Sequence, residues 1–186
     1  MNFLKYTILL CALLLMSCKE NKTDSNNIVN GESNMNSDIS NPKINIEDIK
    51  SKMCNEFPKE LVLKYNTDAT HITIEPISNG SGGILHCKVK LFYGKKDYEF
   101  WEGQVTAWVN QQKDPFWQYN PKRNAAIYHK VEGIGDKAVY IANTYQLLIL
   151  KKGVMYSIAA PSRGRSTNTG KENKEIVIEI AKHYQI

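Results

Sequence analysis

The sequence predicts an α+β domain over residues 44–186: an antiparallel sheet of about six to seven strands, packed by two short N-terminal helices and a C-terminal helix. Three observations carry this. Apolar residues recur at helical spacing near each end of the segment, through Ile46, Ile49, Met53 and Phe57 and again through Ile176, Val177, Ile180, Ala181 and Tyr184. Period-two alternation marks 71–77 and 84–93. Three short runs, 138–142, 145–151 and 154–159, are separated by the two-residue turns Asn143-Thr144 and Lys152-Gly153, the pattern of an antiparallel meander.

Two segments of different character precede the domain. Lys5 is the only charge ahead of an apolar run from Tyr6 to Met16, which ends at Ser17-Cys18 and gives way at once to Lys19-Glu20. These are the proportions of an export signal. The run is too short for a bilayer core, which takes about 20 apolar residues. Leu15, Ser17 and Cys18 match the lipobox of bacterial lipoproteins, which residues 1–18 resemble; Met16 is a less typical residue at its position. The resemblance implies a diacylglyceryl group on the Cys18 thiol, cleavage before it, and a further acyl chain such as palmitate on the freed amine. Two or more such chains anchor stably where one does not. Lys19 stands where Asp would resemble an inner-membrane retention signal, so the expected address is the outer membrane, with the periplasmic or surface face left open. Residues 19–43 hold seven Asn and no aromatic residue. Such a segment cannot offset its ordering entropy by burial and reads as a disordered tether.

Within the domain, Asn45 followed by Asp48 marks the start of the first helix. Pro58 cannot continue that helix but suits the first turn of the next, 59–65, with Leu61, Val62 and Tyr65 inward. In 71–77, Ile72 and Ile74 share a face, and Pro76 breaks the strand or marks an edge. Leu85, Cys87, Val89, Leu91 and Tyr93 form the inner face of the next strand. The stretch 98–109 fits a strand or a helix. Its β-branched and aromatic residues and Gly103, a candidate bulge, favour strand. Residues 111–121 read as a polar and aromatic loop, 124–131 as a weak strand, 161–170 as a basic loop and 171–184 as the closing helix.

Two cysteines remain after the anchor. In an exported chain Cys54 and Cys87 read as a disulfide stapling the first helix to the sheet, the alternative being two buried thiols. This order of elements, with Cys54, Cys87, Gly133-Ile134-Gly135-Asp136-Lys137-Ala138 and Lys152-Gly153, resembles the LpqN-like and PsbP-type α/β sandwich lipoproteins. Val89, two residues past Cys87, departs from the aromatic of that pattern. The resemblance implies a fold rather than a reaction.

Functional signals are sparse. A net charge of +5 without a clustered arginine stripe or zinc-finger spacing argues against nucleic acid. Gly133-Ile134-Gly135-Asp136 lacks the third glycine and following helix of a phosphate loop, and reads as a turn in which both glycines take positive φ and Asp136 bonds backbone. His71, His86, His129 and His183 have no metal spacing, although His86 and His129 could converge on the sheet's outer face. Asp97, Glu99 and Glu102 read as hairpin polar residues. No catalytic residue, metal or cofactor is assigned. The best binding candidates are the loop rings Phe116, Trp117 and Tyr119, because large rings with polar tips concentrate at interfaces. Arg163, Arg165 and Lys171 form a second candidate, for lipid phosphates. The expected role is that of a membrane-anchored, non-catalytic binding domain for an envelope protein or an amphiphilic ligand. The alternatives are an envelope hydrolase with a site not legible in sequence, and a purely structural component of an envelope complex.

Overall fold

A computed structural model describes residues 44–161 and 172–186. Cys18, the tether and the basic loop residues Arg163, Arg165 and Lys171 lie outside them. The sheet is antiparallel and seven-stranded. Its strands are β1 (His71–Ser78), β2 (Ile84–Phe92), β3 (Phe100–Val109), β4 (Tyr128–Val131), β5 (Lys137–Ile141), β6 (Gln146–Lys151) and β7 (Val154–Ala159). They lie in the order β1-β2-β3-β7-β6-β5-β4. Helices α1 (Ile46–Asn55), α2 (Lys59–Tyr65) and α3 (Asn173–His183) pack against the sheet, giving the α+β architecture that the sequence predicts.

Helix α1 begins where Asn45 accepts a hydrogen bond from the Asp48 N–H, a cap that contributes about 1 kcal/mol. The Glu47 carboxylate accepts from the Ile84 N–H at 2.7 Å and from Lys50 at 3.0 Å, tying the helix to the start of β2. These donors, Lys50 first, hold its carboxyl below the usual range. Helix α3 is closed by a capping box between Glu172 and Glu175. Its far end is fastened to α1 where the Tyr184 hydroxyl donates to the Met53 carbonyl at 2.6 Å. Its middle is held by a bond from the Tyr65 hydroxyl of α2 to Glu179.

One large core lies between the helices and the sheet. Register places Ile72, Cys87, Val89, Leu91, Val105, Ile158, Leu147, Ile149 and Ala138 on that face. Met53, Val62, Ile176, Val177 and Ile180 meet them from the helices. The alternation in β2 is as the sequence predicts, but Leu85 is 50 % exposed. Alternation assigns a side of the sheet, not how far the helix layer reaches along it. The same holds at the two ends of β3, where Trp101 and Val109 are exposed. Strand β4 starts only at Tyr128, because 124–127 folds into a turn in which the Asn124 side chain accepts from the Ala126 N–H.

Gly103 sits in regular pairing between Gln104 and Glu102 rather than in a bulge. What it provides is close approach: a Cβ there would lie 2.4 Å from the Ala159 carbonyl oxygen and 2.5 Å from the Pro161 nitrogen. Both neighbours are backbone, so Gly103→Ala is expected to destabilise by about 1–3 kcal/mol, read as a lower urea midpoint. In the 133–136 turn, Gly133 and Gly135 have φ of +74° and +58°. The Asp136 carboxylate accepts from the Lys152 N–H at 2.7 Å, linking this turn to the β6–β7 hairpin. The segment is thus a structural turn of the kind its residues predict.

Cys54 on α1 and Cys87 on β2 meet in this core with Cα atoms 5.5 Å apart, a separation suited to a disulfide. Pro76, on the same face, pairs with Cys87 from the edge strand β1, where its missing N–H costs no ladder bond.

Candidate functional site

The sheet's second face has two halves. Over β5, β6 and β7 it carries a smaller apolar cluster of Val139, Ile141, Leu148 and Met155. Over β1, β2 and β3 it presents mostly polar residues, among them Thr73, Glu75, Lys88, Lys90 and Glu102. The segment 110–127 turns from the end of β3 onto the apolar half. Its local folding follows from four residues with the same short polar side chain geometry. Asn110, Asp114, Asn120 and Asn124 each accept a hydrogen bond from the backbone N–H two residues on, at 2.9–3.1 Å. Such Asx turns fix a loop without regular secondary structure.

Phe116 is the peg of this loop. It is 1 % exposed and joins Val139, Ile141, Leu148 and Met155 in the smaller core. Asp114, two residues earlier, accepts from the Phe116 N–H and pairs with Lys137 of β5 at 3.1 Å. The Phe116 N–H first, and Lys137 after it, hold the Asp114 carboxyl below its usual range. This contribution is present at neutral pH and is lost as pH falls through the depressed value. The Lys137 ammonium also lies over the Phe116 ring, 4.9 Å from its centre.

The three candidate rings therefore separate. Phe116 is corrected from a partner-binding residue to a core residue, because the apolar half of the sheet needs a cover and this ring supplies it. Tyr119 is half-buried, edge-on to Tyr128 at 5.9 Å. Trp117 alone projects, 56 % exposed, with the Arg123 guanidinium 5.1 Å from its ring centre. His86 and His129 do not converge: β2 lies next to one edge of the sheet and β4 is the other edge, and the two side chains occupy opposite faces. Glu99 accepts from the Lys96 N–H in the β2–β3 turn, and Glu102 pairs with Lys88 at 3.5 Å. These acidic residues serve the hairpin.

Beside the pegged loop runs a groove of about 600 Å³. Trp108 lines it from β3, Pro115, Gln118 and Tyr119 line it from the loop, and the buried side chains of Leu148 and Met155 lie at its floor. Asn110, Gln111, Gln112 and Gln146 complete a set of five side-chain amides, with Ile46 and Lys50 of α1 at one end. Two of the amides are held in place. The Asn110 amide donates to the Gln112 carbonyl at 2.9 Å, and the Gln146 amide donates to the buried Ser157 hydroxyl at 2.5 Å. Among the described residues, the side-chain amides of Gln111, Gln112 and Gln118 bond no protein group. Among the described residues the only charged lining residue is Lys50, already paired with Glu47.

Sequence reading missed the groove because it joins strand residues 108, 146, 148 and 155 to a loop. The one visible signal was the density of amides in Asn110–Gln112 and at Gln118. Among the described residues no group of three or more His, Cys, Asp or Glu is placed to hold a metal ion. No family model, curated protein or solved structure matches the chain.

Proposed function

We propose that this chain is a lipid-anchored protein of the bacterial envelope whose domain binds a partner or ligand, without catalysis, in the groove beside the 110–127 loop. The groove carries the reading. It has the volume of a small-ligand site, it is bordered by a loop fixed at four turns and one buried ring, and it offers hydrogen-bonding groups left without protein partners. Among the described residues its lining pairs no nucleophile with a base.

The anchor rests on the sequence of residues 1–18. Cys18 is the lipid attachment site in this reading, and Lys19 favours the outer membrane. The likeness to LpqN-like and PsbP-type lipoproteins supports the same picture through Cys54, Cys87 and the Gly133–Ala138 turn. In an exported protein Cys54 and Cys87 are a disulfide.

Fractionation tests the anchor. The native chain is expected in the membrane fraction and Cys18→Ser in the soluble one; retention of Cys18→Ser on the membrane contradicts it. Capture from solubilised membranes tests the groove. Gln118→Trp, which places a bulky ring at an exposed groove position, is expected to lose material that the native protein and Trp117→Ala both retain.

A further inference from the structure

We propose that the ligand of this groove is an uncharged saccharide chain, stacked on Trp108 and held by side-chain amides. This rests on the groove being the binding site, and extends it to the chemistry of the occupant.

The first observation is the kind of polar group present. A primary amide offers two donors and an acceptor in one plane. A sugar hydroxyl is itself both donor and acceptor, so neighbouring hydroxyls match an amide and not a lone carboxylate or ammonium. Five amides line the groove, and those of Gln111, Gln112 and Gln118 are not used by the protein among the described residues. Gln146 is the most constrained: one N–H donates to the Ser157 hydroxyl, which fixes the orientation of the amide and so the direction in which its oxygen accepts.

The second observation is the exposed ring. Trp108 is 41 % exposed at the groove and, among the described residues, stacks on no other ring and under no cation. The axial C–H bonds of a pyranose form an apolar face, and such C–H groups pack favourably on the electron-rich face of an aromatic ring. Trp117 differs, since Arg123 already lies over it.

The third observation is what other occupants would need. An anionic ligand needs unpaired cations, and Lys50 is engaged by Glu47 at 3.0 Å. An extended peptide adding a strand needs an open sheet edge. Beneath this groove β7 and β6 are paired on both sides, and β3 lacks a second partner only over the short stretch Thr106–Val109, where it pairs with β7 alone. An acyl chain needs an apolar sleeve, and the amides of Gln111, Gln112 and Gln118 would be left unbonded around it.

The test titrates the full chain with maltotetraose, cellotetraose and chitotetraose, followed by tryptophan fluorescence and amide chemical shifts. Saturable binding of at least one is expected, and because the ligand is uncharged the affinity holds as salt is raised to about 0.5 M. Trp108→Ala is expected to weaken it about tenfold or more, and Gln118→Ala about three- to tenfold. Both positions are exposed, and an unchanged far-UV spectrum separates lost contact from lost fold. Trp117→Ala is expected to bind as the native protein does. Absence of a saturable response from all three sugars overturns the saccharide; if Gln118→Trp still sheds captured material, the groove remains a binding site for another class. Saccharide binding that Trp108→Ala and Gln118→Trp leave intact overturns both readings.

Discussion

Phe116→Ala is expected to lower the unfolding free energy by about 3–5 kcal/mol, the cost of emptying a fully buried aromatic site. The side chain is 1 % exposed, and the residues around it, Val139, Ile141, Leu148 and Met155, come from three strands. Without the ring these four would face water or collapse into the space beneath the loop. Part of the cost arises there, and part from weakening the Asp114–Lys137 contact that the same turn presents. Trp117→Ala, one residue away, is expected to stay within about 0.5 kcal/mol of the native protein, since its ring is largely solvated. Urea denaturation of the two variants checks the contrast. Comparable losses for both would mean that the loop is not pegged by Phe116.

The second large effect is at the cysteines. Breaking the Cys54–Cys87 link is expected to remove about 3–4 kcal/mol, the chain-entropy value for a separation of 33 residues. The link closes the loop that contains α2, β1 and the 79–83 turn, so reduction frees that whole segment in the unfolded chain. Both sulfurs are buried, Cys54 at 6 % and Cys87 at 1 % exposure, so reductant is expected to act mainly through opening of the domain. Unfolding with and without reductant measures the difference. Thiol labelling of unfolded, unreduced protein supplies the control, and two reactive thiols would contradict the disulfide.

Much of the fold was legible because local rules and the tertiary packing agree. Asn45 caps α1, Pro58 restarts the chain as α2, Pro76 lies on an edge strand, and the alternation of Cys87, Val89 and Leu91 is the inner face of β2. The ambiguous stretch around Trp101 to Val109 became a strand. Its β-branched residues suit the sheet, and Gly103 fits between backbones where a helix would have no use for it.

The site was less legible, and Phe116 shows why. In an irregular loop no period tells which of several neighbouring rings turns inward. That choice is made by the apolar half of the sheet, whose strands follow later in the sequence. The groove is more distant still from sequence, since Trp108 reaches it from β3, Gln118 from the loop, and Gln146 and Met155 from β6 and β7. Only the amides around 110–118 were visible in advance, and without the sheet beneath them they read as loop polarity.

The most direct measurement is capture from solubilised membranes by the lipidated native protein and by Gln118→Trp at equal loading. A groove that binds predicts that the material held by the native protein is lost from Gln118→Trp and kept by Trp117→Ala. Identical capture by the native protein and Gln118→Trp would contradict the assignment of the groove as the site.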